Sequence, residues 1–334
     1  MHPHSRRQLL QGSVALVAFS LLPPHEAAGQ QTGKVPRIGF LAVGSREGRA
    51  FMIEGLRQGL RDHGYVEGQN IIIEYRFSED RNDRLPALAA ELVAMKVPLI
   101  VASGTPASFA AKEATSTIPI VMGGIAADPV ATGLIASLAR PGGNITGMTM
   151  MSPQLAGKRL ELLKRVVPRL ARVAVFWNAP NPAYGPILKE LEATAPALGL
   201  TLHRLEVRVP ADFEGAFEAA VRQRAGALVA PGDPLVANRP QMVADIALKH
   251  RMPTVMENKE FVEAGGLLSL GLDLVDSYRR AATHVDKILK GANPAELPME
   301  QPSKFDLAVN LRTARVLGLT IPPAVLLQAT HVIE

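Results

Sequence analysis

Thr105-Pro106, Asp128-Pro129, Asn181-Pro182 and Asp233-Pro234 each pair a capping residue with proline just after an apolar run. A Thr, Asn or Asp at the N-cap followed by proline in the first turn opens a helix. The first turn leaves backbone N–H groups unpaired under the positive end of the helix dipole, a natural seat for a carboxylate. Ser103, Thr105 and the N–H groups near Ala107 and Ser108 suit that acid group, whereas Asp128 or Asp233 can accept an ammonium. Together with Asn181 they suit a zwitterion such as an amino acid. The chemistry is that of binding: no catalytic residue is expected, and the capping pairs need no metal or cofactor.

The elements that would carry these residues repeat. The stretch Val97-Pro-Leu-Ile-Val-Ala-Ser-Gly-Thr-Pro106 nearly recurs as Ala225-Gly-Ala-Leu-Val-Ala-Pro-Gly-Asp-Pro234. Each reads as a buried strand turning sharply into a helix, with Thr105 or Asp233 as N-cap and the proline at the first helical position. Around them the chain alternates strand and helix. Strands are expected at 37–43, 71–75, 97–103, 118–122 and 145–150, separated by helical faces such as Ile53, Leu56 and Leu60, and a helix is expected to restart at Asp128-Pro129. The order then begins again at Arg172-Val-Ala-Val-Phe-Trp177 and runs to Gly265-Gly-Leu-Leu-Ser-Leu270. This alternation implies an α/β fold of two similar Rossmann-like lobes with parallel sheets and a ligand cleft between them. Lobe 1 is expected over 36–151 plus 274–334 and lobe 2 over 152–273, with a helix carrying Tyr278, Ala281, Val285 and Ile288 and a last strand at 305–309 returning to lobe 1.

Composition removes several function classes. Of the 334 residues, 47% are hydrophobic and none is cysteine, so disulfides, thiolate nucleophiles and cysteine-bound metals are excluded. No Gly-x-x-x-x-Gly-Lys-Ser/Thr loop, no Gly-x-Gly-x-x-Gly after a strand and no Gly-x-Ser-x-Gly elbow occurs. The histidines at 63, 203, 250, 284 and 331 lack metal-ligand spacing. The net charge of +5 carries no basic block, so no nucleic acid partner is expected.

The N-terminus reads as an export signal over 1–29. Arg6-Arg7 precede an apolar stretch ending at Leu22, followed by Ala27-Ala28-Gly29. The arginine pair also resembles a twin-arginine signal. The apolar stretch covers about 14 residues, short of the roughly 20 that span a membrane. Cleavage near Gly29 and a soluble, monomeric periplasmic product are expected.

Further motifs carry a resemblance: Ala127-Asp-Pro-Val130, Ala139-Arg-Pro-Gly-Gly-Asn-Ile-Thr-Gly147, Glu260-Phe-Val-Glu-Ala-Gly-Gly266, Tyr278-Arg-Arg-Ala-Ala282 and Val285-Asp-Lys-Ile-Leu-Lys-Gly291. In combination they resemble the ABC-transporter substrate-binding proteins that include tryptophan- and phenylalanine-binding members. The resemblance implies a type I periplasmic-binding-protein fold whose lobes close on a small ligand and deliver it to the membrane permease of an ABC importer. Position by position it points to the loop 43–46, with Ser45 and Arg46, to 103–107 and Asp128, and in the second lobe to Trp177, Asn178, Gly232 and Asp233. Trp177 could stack on an aromatic ligand. Two other readings stay open: a periplasmic enzyme using Asp128 or Asp233 as a base on a small carboxylate, and a ligand-sensing partner of a membrane receptor.

Overall fold

The computed structural model describes residues 35–334 except 80, 151 and 302–304, and these form one compact unit. The export signal expected over 1–29 lies outside the described residues. No helix among the described residues is long and apolar enough to cross a membrane.

The first half comprises β1 (Arg37–Ala42), α1 (Ala50–Asp62), β2 (Ile72–Phe77), α2 (Leu85–Ala94), β3 (Ile100–Ser103), α3 (Thr105–Ala114), β4 (Ile120–Ile125) and β5 (Ile145–Thr149). The second begins with α4 (Ser152–Val166), β6 (Arg172–Trp177), α5 (Tyr184–Thr194), β7 (Thr201–Glu206), α6 (Asp212–Arg222) and β8 (Ala227–Val229). It continues through α7 (Pro234–Ala237), α8 (Pro240–Lys249), β9 (Thr254–Met256), α9 (Lys259–Glu263) and β10 (Leu268–Gly271). The chain ends with α10 (Leu274–Leu289), β11 (Asp306–Asn310), α11 (Leu311–Leu317), α12 (Pro323–Leu326) and β12 (His331–Ile333).

The first sheet has the order β2-β1-β3-β4-β5, and the second contains the same sequence of positions as β7-β6-β8-β9-β10. The repeat seen in the residues is therefore a repeat of topology. Every pair within these two runs is parallel. Their near-continuous apolar strands, such as the fully buried Ile100–Ser103, suit sheets covered on both faces. In each sheet the order reverses between the first and third strands, which is where ligands bind in open α/β folds.

Two expectations are corrected. The segment after Asp128 forms turns rather than a helix: the Asp128 carboxylate accepts the Val130 and Ala131 N–H groups as a cap would, but Gly133 takes φ 72° and ends the coil after a single turn. The C-terminal strand does not return to lobe 1. Residues 297–300 first run along β5, where Glu300 N–H donates to the Gly147 carbonyl and Thr149 N–H to that of Glu300. The chain then crosses over, and β11 joins the second sheet antiparallel to β10, with β12 added outside it. The apolar residues Leu307, Ala308 and Val309 thereby cover the open β10 edge. The helix carrying Tyr278 is α10, which packs on α1 and on β4.

That helix pair depends on two glycines one turn apart. A Cβ on Gly55 would stand 2.5 Å from the Val275 carbonyl oxygen, and one on Gly59 would overlap the Arg279 carbonyl. Gly59→Ala must push α10 off α1. The expected loss is about 1–3 kcal/mol of unfolding free energy by urea titration, and a loss below about 0.5 kcal/mol would contradict so close a packing.

Candidate functional site

The two strand-to-helix turns face each other across the space between the sheets. In the second copy Asp233 is the N-cap of α7, its Oδ1 accepting from Leu235 N–H at 2.7 Å, with Pro234 at the first helical position as expected. In the first copy the cap is Gly104 rather than Thr105. Gly104 takes φ 95° and ψ 154°, a conformation open to glycine, and so places Thr105 inside the first turn. The Thr105 hydroxyl then accepts the Ala127 N–H at 3.3 Å. The turns touch: a Cβ on Gly104 would lie 3.2 Å from Pro234 Cγ, and one on Gly48 would lie 3.3 Å from Asn238 Cβ. The cleft is closed.

Between them lies a pocket holding about 420 Å³ of empty space, part of it open to solvent. The first lobe contributes Arg49, Gly104, Thr105 and Tyr278, with Met52, Ala126, Met150 and Leu274 as apolar wall. The second contributes Gly232, Asp233, Pro234, Glu257 and Asn258. A cation thus stands on one side and two carboxylates on the other.

Asp233 is 2% exposed, and its Oδ2 accepts from Asn178 Nδ2 at 3.1 Å and from Asn181 Nδ2 at 2.7 Å. Burial raises its pKa, and the hydrogen bonds from Asn181, Leu235 and Asn178 oppose that rise. Asn181 is held in turn, its Oδ1 accepting Ala183 N–H at 3.0 Å. Behind Asp233, burial raises the Tyr184 hydroxyl well above the usual tyrosine range, reinforced by the Asp233 and Glu257 charges. Glu257 packs on Gly232 so closely that a Cβ there would overlap its carboxylate. Its Oε1 lies 2.8 Å from Arg159 Nη1 but off the N–H axis, so the contact is an ion pair rather than an aligned hydrogen bond.

Tyr278 reaches the pocket because β4 carries Gly123, where a Cβ would overlap the tyrosine ring. Its hydroxyl donates to Ser103 Oγ, and Ser277 Oγ donates to the Gly123 carbonyl at 2.8 Å. Burial raises its pKa, against the nearby Arg49 charge. Arg49 itself is buried, and burial lowers its pKa while the Tyr278 and Asp233 charges oppose that drop.

Of the residues singled out in sequence, Gly104, Thr105, Gly232 and Asp233 line the pocket, and Asn178 and Asn181 hold Asp233 from behind. Ser103 acts at one remove, through Tyr278. Ala107 is packed into the apolar core. Ser45 accepts the Gly48 N–H at 3.2 Å, and exposed Arg46 stacks 4.4 Å over the Tyr75 ring. Asp128 sits after β4, one strand away from the order reversal, and is occupied with its own turn. Trp177 stands edge-on to Tyr184 with ring centroids 6.4 Å apart and does not line the pocket. Missed in sequence were Arg49, Glu257 and Asn258. Arg49 looks like one more surface arginine beside Arg46, and nothing local marks it as buried.

A family model described as "ABC transporter substrate binding protein" matches residues 37–333. A tyrosine-binding protein from Clostridioides difficile (strain R20291) is 26% identical over 267 residues, covering 80% of this chain and 76% of that protein. The ABC domain in complex with L-Trp from Streptococcus pneumonia superposes with a TM-score of 0.83 at 27% identity, over 90% of this chain and 100% of that one. A ligand-free, open substrate binding protein with adhesive properties from Clostridium difficile gives 0.63 at 25% identity, over the same shares of 90% and 100%. At nearly equal identity, this structure is thus more similar to the Trp complex than to the ligand-free, open one. The architecture is that of type I periplasmic binding proteins.

Proposed function

Because this chain belongs to the ABC transporter substrate-binding protein family, we propose that it captures an amino acid with an apolar or aromatic side chain between its lobes and hands it to the permease of an ABC importer. The observation that carries the reading is the charge layout of the closed cleft, with Arg49 on the first lobe and Asp233 and Glu257 on the second. A zwitterion answers both signs at once. The side chain would lie on Met52, Ala126, Met150 and Leu274, a wall suited to an apolar body. Relatives that bind tyrosine or L-Trp support this choice of ligand class.

In this reading Gly104, Thr105 and Asp233 touch the ligand, and Asn178 and Asn181 orient Asp233. The protein binds and releases without chemical turnover. Export by the segment 1–29 would place it, as a monomer, where it meets the permease. Closure follows from ligand affinity for the closed form. A thermal-shift screen of the mature chain against the twenty L-amino acids tests it. Ligand at a hundredfold excess over Kd adds about 2.7 kcal/mol of stability, read as a raised melting temperature. If no amino acid shifts the melt, the reading fails.

A further inference from the structure

Asn238 follows α7 on the second lobe, its backbone N–H donating to the Pro234 carbonyl at 3.0 Å. Its side chain reaches the first lobe, at the loop between β1 and α1. A Cβ on Gly44 would overlap its amide, and one on Gly48 would stand 3.3 Å from its Cβ and 3.5 Å from its Cγ. Gly44 takes φ 83°, where any side chain is strained, whereas Gly48 carries no such strain. Beyond the neighbours of Gly48 in the chain, the nearest first-lobe atom to an added Cβ would be Ser45 Oγ, at an ordinary 3.6 Å. What stands in the way of a side chain at Gly48 is thus the opposite lobe.

The two glycines leave a notch, and Asn238 fills it. No hydrogen bond joins Asn238 to either glycine. Its Nδ2 and Oδ1 are both shut off from solvent without a hydrogen-bond partner among the described residues, so turning the amide over changes nothing. The notch uses its own polar groups internally: Gly44 N–H donates to Ser78 Oγ at 3.0 Å, Gly48 N–H to Ser45 Oγ at 3.2 Å, and Glu79 N–H to the Gly44 carbonyl at 3.0 Å. An amide buried without a partner gains nothing from hydrogen bonding, so the contact works by shape.

None of the three residues lines the pocket, yet each end of the contact is tied to it. Asn238 ends the single turn of helix that Asp233 caps, and Gly48 precedes Arg49. We propose that Asn238, seated between Gly44 and Gly48, is the stop that fixes how far the lobes close, and that it sets affinity for every ligand without touching any. Its action rests on the ligand capture proposed above, which it deepens by naming what ends the closing movement. Apparent affinity scales with the population of the closed form. An obstruction in the notch therefore weakens all ligands by one factor and leaves their ranking unchanged, whereas a change in the pocket reorders them.

Gly48→Val should weaken the tightest-binding L-amino acid about 10- to 100-fold by calorimetry. The next-tightest should lose the same factor, to within about threefold. In an Asn238→Gly background the same valine substitution should cost less than about threefold, because the group it meets is gone. An equal cost in both backgrounds places the damage within the first lobe and overturns the stop, as does an unchanged affinity in Gly48→Val. The chain contains no cysteine, so Gly48→Cys/Asn238→Cys tests the contact itself, with no ligand and no added bulk. The 3.3 Å between the two Cβ positions is near the about 3.5–4.5 Å that a disulfide spans. Oxidised glutathione should link the pair within one chain, read as loss of both free thiols at monomer mass; thiols that stay free overturn the stop. Should Gly48→Val fail to fold, this link decides. If no amino acid binds, the amino-acid reading of the cleft fails by itself, and the link still tests the stop.

Discussion

Asp233→Asn lowers amino-acid affinity by about 100- to 1,000-fold in a protein that still folds. Its two carboxylate oxygens offer roughly four acceptor positions. Leu235 N–H, Asn178 and Asn181 occupy three of them, all with neutral donors. Arg49 across the cleft attracts the charge without forming an ion pair with it, so the carboxylate stands in a wall of the pocket that an ammonium would meet. Losing one partner of a buried charge pair costs about 2–5 kcal/mol. Asparagine keeps the cap on Leu235. It sets an amide N–H₂ against the Asn178 and Asn181 donors, and Asn181 cannot flip without releasing Ala183. A stability loss of about 1–3 kcal/mol therefore accompanies the binding defect. Calorimetry on the variant, with a urea titration to confirm folding, separates the two effects; affinity within tenfold of wild type would refute the role.

The same residue sets a pH dependence. Burial raises the Asp233 pKa in the folded protein, so its protonated form is favoured by folding and its ionised form is penalised. This penalty is present above the folded pKa and disappears as pH falls below the unfolded value. Ligand affinity runs the other way: it falls as pH drops through the raised pKa, because the neutral acid no longer attracts an ammonium.

Arg159→Met is the second large effect, and it acts on stability. Arg159 on α4 and Glu257 beyond β9 have side chains each 1% exposed, and the Arg159 Nε also donates to the Leu270 carbonyl at 2.7 Å. Removing the cation takes the Arg159 contact from a buried carboxylate, at a cost of about 3–5 kcal/mol. Taking both charges away should be milder, because an apolar pair of similar volume has no charge to desolvate. The double variant Arg159→Met/Glu257→Met should recover at least half of the loss. Urea unfolding of wild type, both single variants and the double variant gives the cycle. A double variant no more stable than Arg159→Met would show that the ion pair is not the source of the loss. Because Glu257 lies against Gly232 in the pocket wall, Arg159→Met should weaken ligand binding as well.

The legible part of the site was the pair of jaws. Short apolar runs ending in Gly-Thr-Pro and Gly-Asp-Pro announce strand, turn and helix through backbone preferences that need no distant partner. Asn181 and Asp233 were both visible as caps, and the fold joins them by a 2.7 Å hydrogen bond. Trp177 was misleading. It ends β6 next to inward-facing Phe176, and strand alternation turns its ring to Tyr184 and Arg204. Asp128 carries the same cap-proline signature as Asp233, yet the strand before it stands one place farther from the order reversal.

The sequence by itself determined the alternation of elements, the doubling of the unit and the positions of the turns, because caps, prolines and apolar spacing act over a few residues. Only the tertiary structure decided that β11 closes the second sheet, that Gly104 rather than Thr105 caps α3, and that Arg49 is buried. Those outcomes depend on groups far apart in the chain. Arg49 becomes an interior cation only when the loop after β1, the start of α3, Tyr278 of α10 and Asp233 of the second lobe exclude water from it together. Burial and charge pairing are properties of that assembly, and no local pattern encodes them.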